Sequence, residues 1–578
     1  MKNEKLGLTL AENGRTAYTI TLPRGAALVV HHAAQELGRW LGEITGARFP
    51  IAYDDGEARP VIAIGDSLLA RAEGEKIDCS ALGEEGYTLL TAGENLLIAA
   101  GGGRGCLYGV YGLLEDYLGC RFFTEDVYRI PKREILRLPV LHETKVPALE
   151  YRDPYFQGYC DGDFHVRMKS NSNTAHLYEE HGFRMEYHHF VHTFNSLVPP
   201  ETYFAEHPEY FSLVDGKRLG ERTQLCLTNP DVLRIAVAQV REWIRERPHA
   251  RIISVSQNDW YNYCTCEKCR AVDEAEGSHA GTLLRFVNAI AEDIAKDYQD
   301  VIIDTLAYQY TRTAPKLTKP RENVCVRLCS IECCFAHPLE ECGKNCDYWS
   351  DKAKLGSFVD DLGDWAKICD RLYIWDYVVN FAHTLQPFPN LYVLQPNIRF
   401  FIKNHVRGIF EEGNNSTRES GELNALRQYL VGKLLWDPDF DVERGIDEFL
   451  EAYYGMAAPE VRAFIRLIHE QITPDTHMWL FDSPNAPYLT DTMLDAAETL
   501  FDRAERIADN EMILLRVRRL RLSVRYVQMA RLCVDAPDRE EKLEDFFAEV
   551  RACGITSYRE GKGLEYTEKL LREGPLVK

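Results

Sequence analysis

Long apolar runs are missing from this chain. No stretch of its 578 residues is uniformly apolar over the roughly eighteen positions a helix needs to cross a bilayer, so no membrane span is expected. The N-terminus, MKNEKLGLTLAENGRTAYTI, carries no apolar core of signal-peptide length, and the chain as it stands reads as cytoplasmic. Extended basic runs are missing too. The 67 Lys and Arg are outnumbered by 89 Asp and Glu, and the formal net charge of −22 argues against a nucleic-acid backbone as partner. There is no Gly-x-Ser-x-Gly elbow for a serine nucleophile. The glycine turn Gly101 to Gly105 lacks a Walker ending and the spacing of a dinucleotide fingerprint. It fits a tight turn that lets a helix pack closely on a sheet. Low-complexity segments and short repeats are absent.

What is present is the composition of a globular protein, 45% hydrophobic and 27% charged, too long for a single core. Residues 1–140 alternate strand and helix patterns, as in TAYTITLP and HHAAQELGRWLGEIT, and suggest a small α/β domain. From 147 to 420, apolar strands are expected at 223–229, 251–259, 301–310, 323–331, 371–377 and 407–414, with one or two more around ALEYRDPYF and HHFVHTFN. Helical patterns lie between several of them, which argues for a parallel sheet. A central (β/α)8 TIM barrel is the economical fold, giving an α/β protein. Residues 421–578 carry apolar positions at helical spacing and suggest a helical domain.

The strand ends are the most informative feature. Asn258-Asp259-Trp260, Tyr308-Gln309-Tyr310, Trp375-Asp376-Tyr377 and Glu411-Glu412-Gly413-Asn414 all follow apolar runs. Barrels of this type build their active sites from such carboxyl ends. Glycoside cleavage needs one carboxyl group to protonate the leaving oxygen and another to stabilise or attack the anomeric carbon. Asp259, Glu411 and Glu412 are the catalytic candidates. Adjacent strand residues point to opposite faces, so the two glutamates are inequivalent unless the strand has already ended. Asn258, Trp260, Tyr308, Trp375, Asp376, Tyr377 and Asn414, with His192 and His383, are candidates for binding sugar hydroxyls and ring faces. The structural alternatives are rim salt bridges for the carboxylates, core packing for the aromatics and buried structural histidines.

Seventeen cysteines form an odd and high count. Cys264, Cys266 and Cys269 have the spacing of half a metal site, and Cys333, Cys334, Cys342 or Cys346 could complete it, with His337 as an alternative ligand. Structural zinc, free thiols and disulfides all fit that pattern. Cys226, Cys325 and Cys369 sit singly in apolar runs and read as small buried hydrophobes. No cofactor is needed for the chemistry proposed.

The stretches ISVSQNDW with CTCEKC, TLAYQYT, RLYIWDYVVNFAHTLQPFPNL, GIFEEGNN and LLWDPDFDVERGIDEFLEAYYG resemble the domain of unknown function DUF4838, whose characterised members belong to glycoside hydrolase family 163. VIAIGDS, GYTLL and GRGCLYGVYGLLEDYLGCRFF resemble the small domain that precedes the barrel in family 20 hexosaminidases and family 67 α-glucuronidases. The resemblance implies a family-20-like (β/α)8 barrel acting on carbohydrate, with β-N-acetylglucosaminidase activity on complex glycans known within the group; the activity expected of this chain is a retaining β-N-acetylhexosaminidase or N-acetylglucosaminidase acting on glycan-derived oligosaccharides, by acetamido-assisted catalysis. An inverting, α-glucuronidase-like specificity and a catalytically inactive carbohydrate-binding protein are the alternatives. Family 20 enzymes carry an Asp-Glu pair after the fourth strand and use the substrate's acetamido group as nucleophile. Counting strands here puts Asn258-Asp259 at that position, with an amide where the family has its Asp and an Asp where it has its Glu.

Overall fold

The computed structural model describes residues 7–576 apart from 57–59, 74–76, 79, 157–160, 343, 345–354, 415 and 418. Cys346 falls outside the described residues. The chain divides into two compact units. One comprises residues 1–148, 159–184 and 443–455; the other comprises 149–158, 185–442 and 456–578.

The first unit contains a mixed six-stranded sheet. Its spatial order is His142–Lys145, Tyr87–Ala92, Asn95–Ala100, Val61–Ile64, Thr19–Leu22, Ile51–Tyr53. The helix Gly103–Gly112 follows the glycine turn and lies directly on this sheet. A Cβ at Gly109 would come within 2.6 Å of Ile98 Cγ2, so the close approach requires glycine there.

The second unit is built on a curled sheet of seven parallel strands: β1 (Tyr151–Tyr155), β2 (Tyr187–His188), β3 (Ile252–Ser254), β4 (Ile302–Ala307), β5 (Val324–Cys329), β6 (Leu372–Tyr377) and β7 (Val406–Glu412). The spatial order is β1-β7-β6-β5-β4-β3-β2, so chain neighbours pair from β2 through β7, and β1 joins β7. β1 and β2 are the two edges. Helices α1 (Pro230–Glu246), α2 (His279–Ile294), α3 (Phe358–Ala366) and α4 (Leu394–Lys403) occur between successive strands, as parallel crossovers require. After β7 the chain is helical, with α5 (Asn424–Trp436), α6 (Ala458–His469), α7 (Asp491–Ile507), α8 (Glu511–Arg531), α9 (Arg539–Ala552) and α10 (Leu564–Glu573) in this unit.

The expected strand at 223–229 is not one. Leu225 makes a single bridge to Phe211. The Gln224 side chain donates to the carbonyls of Asn258 and Trp260, and Cys226 enters a sulfur cluster. The continuous burial of Thr223, Gln224, Leu225 and Cys226 therefore comes with an internal amide and a thiol rather than with sheet pairing. Asn258-Asp259 consequently follows the third of the described parallel strands, where the sequence count made it the fourth.

Side chains alternate across this sheet, apart from a register irregularity between Leu372 and Tyr373 of β6. Tyr151, Tyr187, Ile252, Ile302, Cys325, Tyr373 and Phe410 pack together on the inner face. At their centre Arg327 is fully buried, its Nη2 3.4 Å from Asp304 Oδ2 and its guanidinium 4.6 Å from the centre of the Phe190 ring. Tyr151 and Tyr373 stack at 5.6 Å with Gly408 between them in register. A Cβ at Gly408 would sit 2.8 Å from both tyrosines. Gly408→Ala should therefore lower stability by about 1–3 kcal/mol, seen as a lower thermal unfolding temperature; an unchanged temperature would show that the stack can part freely.

Candidate active site

The carboxyl ends of β3, β4, β6 and β7 bring several of the expected residues together. Phe410 and Glu412 of β7 alternate with Glu411, and they share the inner face with Trp375 and Tyr377 of β6. Trp375 Nε1 donates to Glu412 Oε2 at 2.7 Å. Burial, joined by the negative charge of Glu560 and opposed by the Trp375 hydrogen bond, pushes the Glu412 carboxyl up to about 8. Glu412 thus holds a proton at neutral pH.

Asp259 stands at the end of the segment that leaves β3, and its side chain is exposed. Tyr308 Oη donates to Asp259 Oδ1 at 3.0 Å, and Gln309 Nε2 reaches the same oxygen at 3.3 Å. His192 lies close by, its ring 6.1 Å from that of Tyr308. Its Nδ1 is 2.8 Å from the carbonyl of Gln257, which can only accept, so Nδ1 carries a hydrogen. His192 and Gln309 hold left-handed backbone, with φ of 55° and 52°. Such strain persists where surrounding contacts over-determine it, often at functional sites.

Glu560 is a third carboxyl group that sequence reasoning missed. It lies in the loop between α9 and α10, and its backbone N–H donates to the carbonyl of Phe381 at 2.9 Å. Burial raises it, the Arg559 guanidinium opposes that rise, and the charge of Asp259 adds to it. Glu560 therefore couples electrostatically to both Asp259 and Glu412. Nothing in the local sequence SYREGKG marks it as a barrel-end residue.

Other candidates have structural duties. Asn258 is buried, and its amide donates to Asn195 Oδ1 at 2.8 Å and to the Thr223 carbonyl at 2.9 Å. It anchors the backbone that carries Asp259. Asn414 is consumed in its own loop by Ser416 and the Ser420 carbonyl. His383 is buried, 2.7 Å from Tyr526 Oη, and burial lowers its pKa to about 4. Trp260 is half-buried with the Arg222 guanidinium 4.7 Å above its ring.

Glu411 and Asp376 form a separate pair on the outer face of the sheet, directly opposed in register. Glu411 is driven well above its usual range by burial and then by Asp376, and its Oε2 has no hydrogen-bond partner among the described residues. Burial pushes Asp376 up to about 6, opposed by the Ser330 hydroxyl, which donates to its Oδ1 at 2.5 Å. The strand period thus takes Glu411 out of the group around Glu412.

The cysteines are divided between two places. Cys226, Cys264, Cys266 and Cys269 bring their sulfurs within 4.8 Å of one another, with Cys226 to Cys266 at 3.7 Å and Cys226 to Cys269 at 3.9 Å. A disulfide needs about 2.05 Å, whereas a tetrahedron with metal–sulfur bonds near 2.3 Å has sulfur–sulfur edges of about 3.8 Å. The hydrogen bonds of Cys264 and Cys269 hold the Cys226 thiol far below its usual range, and Cys226 in turn pushes Cys264 up to about 11. The fourth member is therefore Cys226, expected to be inert, rather than any of the downstream cysteines. Cys334 and Cys342 lie in a different cluster with His337 and His477. Cys333, adjacent to Cys334, belongs to neither; it is buried near Arg312 and Glu332.

The outer-face pair generates a prediction. Both carboxyl groups have folded-state pKa values above their unfolded ones, so folding takes up protons and stability falls as pH rises from about 4 upward. Asp376→Asn keeps an acceptor for Ser330 and offers Glu411 a donor. It should raise stability at pH 8 by on the order of 2 kcal/mol, with the gain disappearing near pH 4. Denaturant unfolding at both pH values checks this; an equal loss at both would contradict it.

Two family models match the chain. Residues 12–113 match the one described as glycosyl hydrolase family 67 N-terminus, and residues 122–466, more than half of the chain, match the one described as a domain of unknown function, DUF4838. No curated protein matches significantly. Among solved structures, a family 115 4-O-methyl-α-glucuronidase with specificity for decorated arabinogalactans shares the fold, at 13% identity and a TM-score of 0.56, covering 99% of this chain and 80% of that one. A family 20 chitobiase from Flavobacterium johnsoniae is similar at 12% identity and a TM-score of 0.47, with 98% of this chain and 97% of that one covered. On the extent of the larger family match, this chain is a member of the DUF4838 family.

Proposed function

We propose that this chain is a glycoside hydrolase whose general acid is Glu412. The observation that carries this reading is the Glu412 carboxyl on the inner face at the end of β7, held by Trp375 Nε1 at 2.7 Å in surroundings that push its pKa up. A general acid works best with a pKa near the operating pH. Trp375 occupies Oε2, so Oε1 is the oxygen that would deliver the proton to the glycosidic oxygen. Asp259, oriented by Tyr308 and Gln309, is the second carboxylate. Glu560 is a positioning residue that keeps the proton on Glu412 through its charge. The sheet would serve as the core of a (β/α)8-type catalytic domain, at whose strand ends such sites lie.

The substrate class we favour is a β-linked N-acetylhexosaminide from glycan-derived oligosaccharides. Glu412 protonates the leaving oxygen while the substrate's acetamido oxygen bonds to the anomeric carbon. Asp259 stabilises the positive charge that spreads onto the acetamido nitrogen. Glu412, now a carboxylate, takes a proton from the water that reopens the ring, and configuration is retained. An inverting α-glucuronidase is the second reading, favoured by the family 67 N-terminal match and by the activity named for the family 115 neighbour. A nitrophenyl glycoside panel separates them. Turnover of the β-N-acetylglucosaminide supports the first, turnover of the α-glucuronide the second, and sugar affinity without any turnover would make the chain a binding protein.

The sulfur cluster Cys226–Cys264–Cys266–Cys269 is proposed as a structural zinc site that pins the loop leaving Asp259. Leu213 N–H donates to Cys264 Sγ at 3.4 Å and Arg218 Nη1 at 3.7 Å, support of the kind that orients metal thiolates. Cys226→Ser should remove one equivalent of zinc from the purified protein; unchanged zinc would contradict the assignment.

Glu412→Gln should reduce oligosaccharide hydrolysis by roughly 10²–10⁴-fold; an unaltered rate would sink the assignment. The wild-type rate should fall as pH rises through about 8, because the acid then loses its proton. In Glu560→Gln that alkaline limb should move to lower pH, since the charge that raises Glu412 is gone. A profile identical to wild type would remove Glu560 from the account.

A further inference from the structure

The second cluster lies where the loop after β5 meets the segment that follows α6. Cys334, His337 and Cys342 come from a single loop, and His477 comes from a segment far along the chain. Their ligand atoms all lie within 4.8 Å of one another. His477 Nδ1 is 3.3 Å from Cys334 Sγ and 3.7 Å from Cys342 Sγ, and His337 Nδ1 is 3.8 Å from Cys334 Sγ. For zinc with bonds near 2.3 Å to sulfur and 2.05 Å to nitrogen, tetrahedral sulfur–nitrogen edges are about 3.5 Å. The four atoms thus enclose a space of the right size for a zinc ion.

A second observation aims one ligand inward. His337 Nε2 is 3.0 Å from the carbonyl of Thr473. A carbonyl only accepts, so Nε2 carries the hydrogen and Nδ1 presents its lone pair to the sulfurs. Metal-bound histidines almost always show this arrangement, with the far nitrogen donating to a carbonyl or carboxylate. Two thiolates and two imidazoles in a closed tetrahedron select zinc over hard cations, which prefer oxygen.

We infer that Cys334, His337, Cys342 and His477 form a second, structural zinc site, separate from the four-cysteine cluster, that ties the β5 loop to the segment after α6. The ties beyond the cluster give the site its consequence. Phe335 N–H donates to the Met478 carbonyl at 2.9 Å, next to the ligand His477. Leu480 accepts from Phe381 N–H at 2.8 Å, and the Phe381 carbonyl accepts from Glu560 N–H at 2.9 Å. The Asp482 carbonyl accepts from Asn380 Nδ2 at 2.8 Å. Metal at this site braces the segment 477–482, which braces the loop 380–386 and with it the backbone of Glu560. It is a closed site, with four protein ligands and no position for a substrate.

The test is metal content together with the position of the metal. Full-length protein, purified without chelator and exhaustively dialysed, should carry two zinc per chain by elemental analysis. His477→Ala should carry one, and Cys226→Ser should carry the other. Because His477→Ala could also destabilise the fold, wild-type crystals should be measured on both sides of the zinc absorption edge. An anomalous peak between Cys334, His337, Cys342 and His477 is expected. One zinc per chain with a peak at the four-cysteine cluster alone would overturn this inference while leaving that cluster's assignment intact. Two equivalents retained in His477→Ala would overturn it as well.

Discussion

A period of two residues along β7 separates two adjacent glutamates into different chemistry. Parallel pairing on both sides fixes the register of that strand, Asp376 against Glu411 and Tyr377 against Glu412, so neither side chain can change face without moving the whole strand. On the inner face Glu412 meets Trp375 and feels Glu560. On the outer face Glu411 meets Asp376. Both carboxyl groups are driven upward by loss of water, but only one does so where the ends of β3, β4 and β6 converge. The strand's geometry, rather than the identity of the residues, decides which carboxyl group faces the proposed site.

The rest of the site reads as support for that proton and for Asp259. Arg327 and Asp304 fill the inner face below it, and Tyr308 and Gln309 orient Asp259 from the strained turn after β4. Glu560 arrives from the helical region, and its negative charge adds to the burial that raises the Glu412 carboxyl. The loops that deliver these groups lack regular pairing. Gln224 holds the backbone on either side of Asp259 with three hydrogen bonds to Asn258 and Trp260, and the sulfur cluster closes the same loop a few residues on. Where loops cannot pair as strands, side-chain amides and a cluster of thiols hold them instead.

Much of the sheet was legible in the sequence. Strands β4, β5 and β6 are largely apolar and buried on both faces, as is most of β7, the signature of parallel strands under helices, and their ends carry the polar clusters. The false strand at 223–229 shows the limit of that signal, because an apolar run can be buried through an internal amide and a thiol without pairing in a sheet. The two glutamates were distinguishable only in principle; which one faces inward depends on register, and register is a property of paired strands. Cys226, His477 and Glu560 were invisible for a common reason. Each reaches its partners across a large separation in the chain, from a segment whose local pattern says nothing of the fold around it.

The central claim is that the sugar binds on the inner face, between Glu412 and Asp259. A crystal structure with a bound monosaccharide inhibitor tests it most directly. The account predicts a ring beside Trp375, with its glycosidic oxygen or its mimic within hydrogen-bond reach of Glu412 and a substituent on Asp259. A ring bound away from both carboxyl groups would contradict the account.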